Sequence, residues 1–97
     1  MSLIKNKKKL KFLRDKIDKI DLKLLALIKI RTQLVNKVIK VKKFKKQIID
    51  QNRIKKVLKN IRKLSVKKKI DPIITKRIWS NMIKAYIDYE SKNFKEK

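Results

Sequence analysis

Several residue types are missing from this chain of 97 residues, and each absence closes off a class of answers. There is no cysteine, so neither a disulfide scaffold nor a thiolate metal site is available. There is no histidine, which removes the commonest metal ligand and general base. Glycine is absent and proline occurs once, leaving so few turn formers that an all-α fold with few loops is expected. No apolar run approaches the ~20 residues that span a bilayer. The basic start, MSLIKNKKKLKF, lacks the continuous apolar core of a signal peptide. A cytoplasmic, membrane-free protein without metal or cofactor is the expectation.

Charge is abundant but one-sided: 32 basic residues stand against 8 acidic ones, a net charge of +24. Such a surface attracts polyanions, and a basic helical nucleic-acid-binding module is one reading. The lysines are spread from Lys5 to Lys97 without a dominant block or an aromatic platform. That spread, with the richness in Lys, Ile and Asn, equally fits the codon bias of an AT-rich genome. No dedicated nucleic-acid partner is expected. Only five of the basic residues are arginines: Arg14, Arg31, Arg53, Arg62 and Arg77.

The stretch from Leu13 to Lys42 organises the chain. Leu13, Ile17, Ile20, Leu24, Leu27, Ile28, Leu34, Val35 and Val38 recur at the three-and-four spacing of a helix, with neither Gly nor Pro. Thirty residues at ~1.5 Å each make a rod of about 45 Å, too long for a chain this small to cover alone. Arg31 stands where an apolar residue is due, and Lys42 follows Val38 by four positions. At about 100° per residue the two cations fall within roughly 20° of one another on one face. Either both snorkel along the helix with their heads in water, or something anionic meets them.

In chain order, residues 1–9 are expected to fray, a helical domain spans 10–94, and 95–97 form a frayed tail. Helix 1 is expected from Leu10 to about Val41, with Asp15, Asp18 and Asp21 in its early turns. Three Asp without His are weak evidence for a metal. Helix 2 is expected over Asp50–Ser65, with Ile54, Val57, Leu58 and Ile61 inward and Arg53 at the edge of that stripe. Asp50 reads as its N-cap. Asp71-Pro72 marks the start of helix 3, which runs to about Lys92. Its inner side is expected to carry Ile74, Ile78, Trp79, Met82, Ala85, Tyr86 and Tyr89. Glu90 lies in line with that stripe, so its carboxyl is paired, protonated or at the rim. Two chains interlocked through helix 1 would cover it; an elongated three-helix bundle or coiled coil is the other arrangement.

The set L-R-D-K-I-D-x-I-D-x-x-L-L-x-L-I-x-x-R, followed by V-I-K-V-K, D-Q-N-R and I-W-x-x-M-I-x-x-Y-I-x-x-E, resembles the all-α chorismate mutase family over about Leu10 to Phe94. The helix 1 signature, Arg14, Arg31 and Lys42, is the more specific part. The resemblance implies three helices per chain, one very long, in an intertwined homodimer with two shared sites. It implies conversion of chorismate to prephenate, a step of aromatic amino acid biosynthesis, without a cofactor. It places Arg31, Lys42, Arg53 and Glu90 in the pocket and brings Arg14 from the partner chain. Arg14 and Arg31 are seventeen residues apart, roughly 25 Å along the helix, so one small substrate cannot touch both on one chain.

The residue types suit that chemistry. Chorismate carries two carboxylates, which planar guanidinium groups grip bidentately where Lys offers a point charge. The rearrangement is unimolecular and needs no nucleophile, base or metal. It is helped by holding the side chain over the ring and by a donor to the ether oxygen as the C–O bond breaks, a role for Lys42. Glu90 stands where family members have Gln or Glu, and donates a second hydrogen bond only when protonated. Asp50 sits where mutases often carry Asp. Two departures, Ile54 after Arg53 in place of Glu and Tyr86 in place of Ser, resemble the isochorismate-pyruvate lyase branch of the same fold.

Overall fold

The computed structural model describes residues 3–95. Its elements are α1 (Leu3–Val41), a short 3-10 turn (Lys45–Gln47), α2 (Gln51–Lys67) and α3 (Pro72–Asn93). The chain is all-helical among the described residues, as expected, with one helix much longer than the others. It divides into two compact units, Met1–Val35 and Asn36–Lys97.

The first unit is helical throughout its described part. Residues 1–9, expected to fray, are helical from Leu3 onward, so α1 starts seven residues before the expected Leu10. The cause is the cooperativity of helices. Leu and Lys are good helix formers, and once a helix has nucleated each added residue fixes one more backbone bond without a new nucleus. Repulsion among Lys5, Lys7, Lys8 and Lys9 does not outweigh this. Lys11 pairs with Asp15 at 3.0 Å one turn on, and the Lys16 ammonium lies 4.6 Å from the centre of the Phe12 ring. Met1 and Ser2 lie outside the described residues.

In the second unit, α2 and α3 form a helical hairpin. Ile54, Val57, Leu58 and Ile61 are half-buried along α2, the expected inward stripe. At its end Ser65 is buried and continues the line. Ser65 Oγ donates to the Ile61 carbonyl at 2.6 Å. The Ser65 and Thr75 hydroxyls share a hydrogen bond at 2.7 Å, and Thr75 Oγ1 also lies 3.3 Å from the Pro72 carbonyl. This buried hydroxyl pair fastens the end of α2 to the start of α3.

Thr75, Trp79, Met82, Ile83, Tyr86 and Ile87 of α3 are buried or half-buried, and Thr75 meets Ser65 of α2. Ile74, Ile78 and Ala85, expected on the inner side, are instead exposed. They lie on a second stripe roughly 100° round the helix from the covered one. One neighbouring helix covers only one stripe.

Both helix starts follow the sequence. Asp50 Oδ1 accepts from the Arg53 N–H at 3.0 Å, and Asp71 Oδ1 from the Ile73 N–H at 2.9 Å, with Pro72 in the first turn. The end of α2 is unusual. The Ile70 N–H donates to the Ser65 carbonyl at 2.8 Å and the Lys69 N–H to the Val66 carbonyl at 3.1 Å. That pair of bonds is a Schellman ending, whose turning residue is left-handed and usually Gly. Here it is Lys69, with φ 59°. Its Cβ costs about 1 kcal/mol in that region. Lys69→Gly is therefore expected to stabilise the fold by a few tenths to about 1 kcal/mol in denaturant titration. A loss of stability would mean that the left-handed turn is not under strain.

Candidate active site

The end of α1 and the last turns of α3 supply the best-formed group of polar side chains. The helical bonding of α1 runs on to Lys42, whose N–H donates to the Val38 carbonyl at 3.1 Å. The connector then turns around Gln47. Its Oε1 accepts from the N–H groups of both Lys43 and Phe44, each at 2.8 Å. Two backbone donors just beyond the end of the helix are thus satisfied by one side chain. Ile39 and Ile48, the two buried apolar residues among those described, bracket this turn.

Glu90 is buried on α3 and faces Lys42. The Lys42 Nζ lies 3.5 Å from Glu90 Oε1, with side-chain exposures of 20% and 11%. A charge this secluded persists only with a partner. The separation exceeds the 2.7–2.9 Å of a tight charge-assisted hydrogen bond, so the ammonium is held without its donor directions being consumed. Glu90 is thus paired with Lys42 and not at the rim.

One residue before Glu90, the Tyr89 hydroxyl donates to Asn36 Oδ1 at 2.7 Å, joining α3 to α1 across 53 positions of sequence. This bond sets the turn of α3 that presents Glu90 to Lys42. Neither its donor nor its acceptor role was legible beforehand: Tyr89 read as an apolar-stripe residue, and Asn36 stands among apolar and basic neighbours. Tyr86 is half-buried and meets Tyr89 edge to face, with ring centroids 6.3 Å apart at 76°.

Asp50 is exposed, and with Lys42, Gln47, Ile49, Gln51 and Asn52 it lines a hollow of about 470 Å³. One of its carboxylate oxygens serves as the α2 cap. Arg53 is tied to Asp50 through its backbone, and its side chain is exposed. Lys42 thus belongs both to the pair with Glu90 and to the hollow with Asp50. Arg14 and Arg31 lie in the first unit, Arg14 exposed and Arg31 half-buried. Among the described residues no group of three His, Cys, Asp or Glu could hold a metal ion. No helix of the described residues is long and apolar enough to cross a membrane.

Tyr89→Phe tests the α1–α3 link. It keeps the ring and strands the half-buried Asn36 oxygen, so stability is expected to fall by about 1–2 kcal/mol in chemical denaturation. An unchanged midpoint would show that water replaces the hydroxyl without loss.

Residues 13–91 match the family model of chorismate mutase type II. No curated protein and no solved structure matches the chain. The matched span covers the organising part of α1, the connector with Lys42 and Asp50, and α3 through Glu90. The chain belongs to the chorismate mutase type II family.

Proposed function

We propose that this protein is a homodimeric chorismate mutase that rearranges chorismate to prephenate, with Lys42 and Glu90 at the reacting ether oxygen. The observation that carries the proposal is the secluded Lys42–Glu90 pair at 3.5 Å, in a chain whose family acts on chorismate. The substrate's two carboxylates are gripped by Arg31 and Arg53 of one chain and by Arg14 of the other. Lys42 donates to the oxygen that gains negative charge as the C–O bond breaks. Glu90 holds the ammonium in place and, when protonated, offers a second donor to the same oxygen. Asp50, with one oxygen on the cap, has the other for the substrate hydroxyl. Tyr86 packs along the ring. Carbon–carbon bond formation and carbon–oxygen cleavage occur within one molecule, so binding the folded conformer supplies much of the acceleration.

The dimer is part of the proposal because of what a single chain leaves in water. Leu13, Ile17, Ile20, Leu24, Leu27, Ile28, Leu34 and Val38 are each 44% to 61% exposed. Burying the remainder is worth about 1 kcal/mol per residue, so roughly 8 kcal/mol per chain and twice that for a pair. That exceeds most estimates of the cost of association.

The isochorismate-pyruvate lyase reading keeps one point in its favour. Ile54 is half-buried in the α2 stripe, so the position after Arg53 offers no carboxylate to a substrate hydroxyl. The deciding assay supplies chorismate and isochorismate separately and follows prephenate, salicylate and pyruvate. Prephenate from chorismate is expected. Lys42→Ala should lower kcat about 10²–10³-fold, while Lys43→Ala, which removes the same charge from the exposed next position, should leave it nearly unchanged. Salicylate and pyruvate without prephenate would move the chain to the lyase branch. Equal effects of the two variants would remove Lys42 from the reaction.

A further inference from the structure

A second hollow lies between the later half of α2 and the first turns of α3, with a volume of about 330 Å³. It is lined by Leu58, Lys59, Arg62, Pro72 and Lys76 and shares no residue with the Lys42 site. Three cations from two helices meet here over an apolar floor of Leu58 and Pro72. Among the described residues no carboxylate pairs with any of the three. The nearest acid in sequence, Asp71, commits Oδ1 to its helix cap. Over residues 36–70 the sole acid is Asp50, which caps the opposite end of α2. Asp71 is the one acid between residues 51 and 87 in sequence, so cations outnumber it and the local field stays positive.

We propose that this hollow is a binding site for a small phosphate-bearing molecule, seated with its phosphate between Arg62, Lys59 and Lys76. Arg62 has the planar fork that takes two phosphate oxygens at once, and the two lysines add point charges from either rim. The Leu58 and Pro72 surface takes an apolar portion of the ligand. The volume is at the lower end of that of small-molecule sites and suits a compact ligand. This site stands independently of the mutase reading, since its residues play no part in that reaction.

Because the whole chain is basic, the test must separate a built site from diffuse attraction. The full-length protein is titrated with inorganic pyrophosphate at about 0.15 M ionic strength, and backbone amide shifts are followed by NMR. Saturable shifts confined to residues 58–62 and 72–76 are expected. The variant K59Q/R62Q/K76Q should weaken binding about tenfold or more. The charge-matched variant K55Q/K56Q/K63Q, also on exposed helical positions, should bind nearly as the parent does. Equal weakening in both variants would overturn the site in favour of diffuse charge. A non-saturable response would overturn it as well. A single-stranded oligonucleotide that binds more tightly than pyrophosphate and is weakened equally by both variants would assign the surface to polymer binding instead.

Discussion

Water contact along α1 is the constraint on which everything else here depends. A helix of 39 residues carries an apolar stripe from end to end, yet within one chain only Ile39 of that helix is buried. Apart from Ile48, no other apolar residue among those described is buried. The hairpin of α2 and α3 has a half-buried seam, a hydroxyl pair at one end and two good caps, which is modest support for a chain of this size. In the proposed dimer a second copy covers α1, and folding and association are then one process.

The same helix carries the proposed site. Its bonding ends at Lys42, where Gln47 gathers the next two amides and turns the chain toward α2. Tyr89 and Asn36 fix α3 against the end of α1, and Glu90, the next residue, meets Lys42 in the secluded space so formed. A cation that replaced an apolar residue would be a liability in a structural helix, since it costs burial and gives little back. In the proposed reaction, with a dicarboxylate substrate and an ether oxygen that gains enolate character, it is the useful element. The sparing use of Arg in a Lys-rich chain suits the proposed division of labour, in which the arginines grip carboxylates and Lys42 donates at a single point.

Much of this was legible in the sequence, for physical reasons. Periodicity exposed the three helices, Asp71-Pro72 and Asp50 marked two starts, and the α2 stripe fell where its spacing placed it. The register of Lys42 and Glu90 with their apolar stripes singled out both before any coordinates. Features that depend on which neighbour is present were not legible. Ile74, Ile78 and Ala85 are as apolar as their companions, and only the position of α2 separates the covered stripe from the open one. The start of α1 was missed because a basic run looks like a tail, whereas a nucleated helix extends through it. Lys69 in a left-handed turn, the Ser65–Thr75 pair and the Asn36–Tyr89 bond have no local signal: each is set by backbone geometry or by a contact distant in sequence.

The central claim is that two chains share each site, with Arg14 of one serving Lys42 of the other. It is tested most directly by refolding two inactive variants together, Arg14→Ala and Lys42→Ala, and assaying prephenate formation from chorismate. Each homodimer lacks a needed group in both sites, whereas a mixed dimer has one site with neither change and one with both. Recovery of about a quarter of the parental activity at equal mixing is predicted, since half of the dimers are mixed and each has one intact site. If the mixture stays as inactive as its components while mixed dimers are shown to form, Arg14 does not act across chains and the shared-site account is wrong.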